Sequence, residues 1–105
     1  MFHPATKLVI ITEHFLEEKV CEIMESCGSR GYTVVPAGGK GLHHLHPMVD
    51  RATVVEGFDN IKMEVITHDE EQANQIAEKI LEECFKDYPG IVYKESVHIC
   101  RPERF

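Results

Sequence analysis

The chain has 105 residues, 43% of them hydrophobic, and carries 11 basic against 18 acidic side chains for a formal net charge of −7. That size suits one domain, residues 1–105, able to bury roughly 65% of its unfolded surface without staples. The acidic balance argues against nonspecific nucleic-acid binding, which runs on clustered cations, and the longest strictly apolar run, Leu8–Ile11, is far too short to span a bilayer.

No charged-apolar-small leader pattern opens the sequence, so a cytoplasmic location is expected. Cys21, Cys27, Cys84 and Cys100 make no CxxC pair and no evident disulfide framework, and they read as buried free thiols.

In chain order, Lys7–Thr12 is apolar on both strand faces, which predicts a central strand covered above and below. Thr12 is placed to cap the next segment, where Leu16, Val20, Ile23, Met24 and Cys27 recur at helical spacing. Gly28 and Gly31 end that helix, and the β-branched, aromatic stretch Tyr32–Pro36 predicts a second strand.

Regularity then stops. Residues 37 to about 56 hold three glycines, three histidines and Pro47 without a period, a loop of functional length. Ile61, Met63 and Val65 alternate with Lys62 and Glu64, giving a third strand with one wet or ligand-facing side. Thr67 and Glu70 are spaced as a capping box. It opens a helix whose stripe is Ala73, Ile76, Ala77, Ile80, Leu81, Cys84 and Phe85. A turn at Asp87–Gly90 leads into a fourth strand, Ile91–Ile99.

The order β-α-β-β-α-β predicts an α+β domain with two helices on one face of a four-stranded sheet. The first strand still needs cover on its other face, and a symmetric oligomer provides it.

Three clusters could carry chemistry. Gly38, Gly39, Lys40 and Gly41 follow a strand directly, freeing backbone amides to cradle an anion while Lys40 adds a point charge. The spacing is not that of a Walker A loop, and a flexible hinge is the competing reading. His43, His44 and His46 could hold a transition metal, against a plain polar loop. Arg101 and Arg104 flank Pro102 and could clamp a phosphate, against a solvated tail. No nucleophile paired with a base stands out, so no catalytic residue is assigned and no enzymatic activity is expected.

The stretch GYTVV at 31–35 running into GGKG at 38–41, the long loop, then NIKMEVIT at 60–67 and DYPGIVY at 87–93 resemble the PII-like signalling proteins. The likeness is strongest to the branch holding the SbtB-type regulators of bicarbonate uptake and the carboxysome-associated PII proteins. It implies a ferredoxin-like fold in a homotrimer, with an adenine nucleotide in each cleft between subunits and no separate cofactor. By position, Gly38, Gly39, Lys40 and Gly41 would form the base of the T-loop, about 38–56, and contact phosphates. Gly90 and Ile91 would correspond to the B-loop, whose backbone lines the nucleotide. Lys62 and Glu64 would help to read the ligand, and Arg101 or Arg104 would reach phosphates.

Histidines stand where related loops carry arginine or polar residues, which favours ADP or AMP over ATP, or a smaller companion anion such as bicarbonate. No tyrosine lies between Gly38 and Glu56, so 2-oxoglutarate signalling of the uridylylated kind is not expected. The resemblance thus implies a nucleotide-responsive regulator of a bicarbonate transporter or carboxysome-related partner. The alternative is a metal-binding trimer of the same fold, as in the CutA-type proteins, with His43, His44 and His46 as ligands.

Overall fold

The computed structural model describes residues 1–38, 59–101 and 103. Strands β1 (His3–Glu13), β2 (Thr33–Ala37), β3 (Asn60–Thr67) and β4 (Gly90–Ile99) form one antiparallel sheet in the order β2-β3-β1-β4. Helix α1 (Glu17–Ser26) follows β1 through a 3-10 turn at His14–Leu16, and α2 (Glu70–Glu83) joins β3 to β4. The expected α+β, ferredoxin-like order is the one observed.

Register sorts the faces. Leu8 and Ile10 of β1 share a side with Ile61, Met63 and Val65 of β3. These pack against Leu16, Val20, Ile23 and Met24 beside α1's axis and Ala73, Ile76 and Ile80 of α2. Both helices therefore cover one face, because alternate strand residues on that side are apolar. Val9 lies on the opposite face and is nonetheless fully buried, flanked across the sheet by the far longer Glu64 and Tyr93.

Helix ends depart from the expectation. Thr12 caps nothing: its buried hydroxyl donates to Pro89 O at 3.0 Å, and Glu13 takes the N-cap position without a side-chain bond. The capping box also moves by two residues. Asp69 is the N-cap of α2 and accepts from Gln72 N at 2.8 Å, while Gln72 Oε1 accepts from His68 N at 3.0 Å. Thr67 is drawn inward, its hydroxyl 3.2 Å from Thr6 O and 2.9 Å from Asp69 O. The Thr67 hydroxyl faces the core and is taken up by these two carbonyls, which leaves the Asp69 carboxylate to cap. Gly28, at φ +90°, ends α1 as expected, and the left-handed region is where glycine is favoured.

Leu81 is a second correction. Spacing put it on the apolar stripe of α2, but it is 49% exposed. The helix rests on the narrow line Ala73, Ile76, Ile80, and Leu81 lies one residue, about 100°, round from it. The thiols are free, as expected, but only Cys84 is buried; Cys21, Cys27 and Cys100 are half-exposed. Burial pushes the Cys84 and Cys21 thiols up, which keeps them protonated at neutral pH.

The relocated cap gives a test. Asp69→Ala should lower stability by about 1 kcal/mol, as loss of a capping carboxylate typically does, whereas the sequence pattern would assign that loss to Thr67. Thermal melting reads it, and an unchanged midpoint would reject Asp69 as the cap.

Candidate functional site

The sheet brings its loop junctions to one end. Pro36, Ile61, Thr12 and Gly90 stand in a single row across all four strands, with Ala37, Asn60 and Glu13 in the row beyond. Gly38 leaves β2 and Gly90 enters β4 at that end, on opposite edges of the sheet. Neighbouring strands are about 4.8 Å apart, so three steps separate these two edges by about 14 Å. His14 N donates to Asp59 O at 2.6 Å, and the Thr12 hydroxyl holds Pro89, so the junctions are tied to β1.

Gly90 has a packing reason to be glycine. A Cβ there would fall 2.8 Å from Phe85 Cε2 and closer still to Cζ and Cε1. The ring occupies the space that any side chain would need.

On the face without helices, Val35, Lys62, Ile11 and Ile91 form one row, and Thr33, Glu64, Val9 and Tyr93 the next. Lys62 and Ile91 thus flank Ile11 about 10 Å apart. Glu64 is not a free acid: its Oε2 lies 3.4 Å from Lys62 Nζ and 3.7 Å from Lys7 Nζ, and Lys7 also meets Glu95 at 3.3 Å. Glu95, then Glu64, hold the Lys7 ammonium above its ordinary range against partial desolvation. Lys7 and Glu95 carry no local motif; only strand register reveals them as neighbours of Lys62 and Glu64.

A cavity of about 220 Å³ opens at the same end, lined by His14, Glu17, Val34, Val35, Pro36 and Ile61. Its carboxylate is engaged: Tyr32 donates to Glu17 Oε2 at 3.1 Å, and His14 Nε2 lies 3.5 Å from Oε1. Desolvation, then the bond to Glu17, pushes the Tyr32 phenol up to about 12. The cavity offers apolar surface with a rim whose carboxylate, Glu17, is already engaged by Tyr32 and His14.

Arg101 lies at the other end. It follows β4, adopts a left-handed turn at φ 59°, and sits about 35 Å from Gly90 along an extended strand. Arg30 reaches the same tail, its Nη1 3.5 Å from Glu103 O. One chain therefore brings together Gly38, Lys62, Gly90 and Ile91 at one end and leaves Arg101 apart. Gly39, Lys40, Gly41, Arg104 and the histidines 43, 44 and 46 lie outside the described residues. Among the described residues, no group of three or more histidine, cysteine, aspartate or glutamate side chains is placed to hold a metal.

The family model of the Nitrogen regulatory protein P-II matches residues 5–104. The chain is similar to a PII-like signaling protein from Thermus thermophilus, at 33% identity and a TM-score of 0.78, covering 98% of this chain and 96% of that one. It is also similar to CPII of Thiomonas intermedia in its complex with ADP and bicarbonate, at 26% identity and a TM-score of 0.78 over 100% of this chain and 97% of that one. A complex of CPII with ADP, AMP and bicarbonate superposes at 24% identity and a TM-score of 0.78, with both chains wholly covered, a likeness of fold.

Proposed function

This chain belongs to the nitrogen regulatory protein P-II family, and from that membership we propose that it is a non-catalytic signalling trimer holding ADP in each cleft between subunits, with bicarbonate as a companion anion. AMP and ATP compete for the same cleft. The loop at 38–56 carries the bound state to a bicarbonate transporter or a carboxysome-related partner in the cytoplasm.

The division of the nucleotide-contacting candidates carries this reading. Gly38 and Gly90 open at one end of the sheet and Arg101 at the other, so a single chain cannot close them on one nucleotide, whereas a neighbouring copy can. The face without helices suits that neighbour: Ile91 is 53%, Val35 45% and Tyr93 40% exposed on it. Packing such faces together removes apolar surface from water, at about 25 cal/mol per Å². Beside this apolar zone, Lys62 lies within reach of a ligand seated over Ile11 and Ile91, and Glu64 keeps its ammonium in place. CPII, at 26% identity, was found with ADP and bicarbonate, which supports that choice of ligands here.

The test is twofold. Light scattering at micromolar concentration should give three times the 12.0 kDa chain mass, and calorimetry on dialysed protein should detect ADP, with and without bicarbonate. Tyr93→Glu, which places a charge on the exposed face across Val9 from Glu64, should yield a folded monomer that no longer binds ADP. A monodisperse parent monomer, or a Tyr93→Glu monomer with parental ADP affinity, would sink the inter-subunit site.

A further inference from the structure

We propose that Thr12 is a positioning residue for the nucleotide, aiming the Gly90 amide through the carbonyl of Pro89; the inference rests on the ADP reading above. Thr12 is fully buried on the helix-covered side of the central strand, two positions on from Ile10. Its hydroxyl donates to Pro89 O at 3.0 Å across 77 residues of sequence, and its backbone pairs with Gly90.

Pro89 has no N–H, so the carbonyl is its only backbone polar group. That carbonyl and the Gly90 N–H belong to one rigid peptide plane, and the described residues contain no cis bond. In a trans peptide the two groups point in opposite directions. Drawing Pro89 O toward Thr12 therefore turns the Gly90 N–H away from Thr12 and from β1, out of the core. The Phe85 ring fills the space that a Gly90 side chain would need, so the residue after this peptide stays glycine. A glycine needs the restraint of the Thr12 bond, because it has the widest backbone freedom of any residue. A ligand oxygen meeting this amide would find it already oriented, so little ordering is required on binding.

A merely structural role for the hydroxyl makes a different forecast, and the fold supplies a matched control. Thr67 is likewise buried, with its hydroxyl on the carbonyls of Thr6 and Asp69, but it lies at the opposite end of the sheet. Thr12→Val and Thr67→Val each delete one buried hydroxyl with shape unchanged and should each lower the melting temperature. Only Thr12→Val should weaken ADP binding, by several-fold to about tenfold, the span of an ordinary hydrogen bond in an equilibrium constant. Thr12→Ser should restore affinity.

Calorimetric titration with ADP on folded protein distinguishes the outcomes. Parental affinity in Thr12→Val, or equal weakening in Thr67→Val, overturns the inference and leaves the nucleotide reading standing. Absence of ADP binding by the parent overturns both. Should Thr12→Val not fold, Thr12→Ser and Thr12→Cys make the same comparison, since a thiol is a weak donor. A cysteine variant binding ADP as well as the serine variant would then reject the hydroxyl's role.

Discussion

Gly90→Ala is expected to destabilise the fold by about 1–3 kcal/mol, the usual range for forcing extra atoms into a filled space. The added methyl would overlap the Phe85 ring, with 2.8 Å to Cε2 as its most distant ring contact among the three nearest atoms. Nothing about the backbone at Gly90 demands glycine, since its φ lies outside the left-handed region that Gly28 occupies. The penalty is purely one of space. Phe85 is partly buried against the core, so the ring must swing outward and uncover apolar neighbours. For a domain near this size each kcal/mol shifts the melting temperature by roughly 4–8 °C, so a drop of about 5–20 °C should be seen.

The cause can be separated from the effect by a double-mutant cycle. Phe85→Leu removes the far atoms of the ring that the new Cβ would strike. In that background Gly90→Ala should lose most of its penalty, giving a coupling well above the 0.3–0.5 kcal/mol scatter, about the additive limit, of independent sites. An equal penalty in both backgrounds would show that the ring is not what excludes a side chain. Parental melting of Gly90→Ala alone would sink the prediction outright.

Gly90 shows how far the sequence carries and where it stops. The turn at Asp87–Gly90 and the strand after it were legible, because prolines and glycines punctuate locally and β-branched residues alternate. So were the two helices and the sheet's half-polar third strand. What covers Gly90 was not, because Phe85 meets it through the fold of a turn and Thr12 meets Pro89 from the other end of the chain. The capping box failed for a related reason: spacing gave Thr67 a local capping role, but its hydroxyl is shared between the carbonyls of Asp69 and of Thr6, 61 residues away. The Lys7–Glu64–Lys62 arrangement likewise depends on register between β1 and β3, which no window of sequence contains. The glycine run singled out Gly38 and strand phase Lys62, while Gly90 and Ile91 became candidates through the resemblance to PII-like proteins. Only the sheet order sets them at one end, with Arg101 at the other.

Lys40→Ala is expected to have the largest effect on ligand affinity, weakening ADP binding by about one to two orders of magnitude. Lys40 stands between Gly39 and Gly41, with Gly38 before them, so no adjacent side chain can pack on its stem and no acid lies within two positions to pair with it. A long cation so placed gains little from burial. If the flanking glycines turn their amides toward a phosphate, its ammonium adds a charge-assisted hydrogen bond worth roughly 1.5–3 kcal/mol, and each ~1.4 kcal/mol is tenfold in the dissociation constant. Stability without ligand should stay within about ±0.5 kcal/mol, as for surface changes generally. Lys79→Ala is the control: that lysine is exposed on α2, with Nζ 3.4 Å from Ser26 Oγ, and losing its charge should leave ADP affinity untouched. Titration of ADP into parent, Lys40→Ala and Lys79→Ala at one salt concentration decides it, since net charge changes equally in both variants. If Lys40→Ala binds ADP as the parent does, the glycine run is a hinge and the phosphates are held elsewhere.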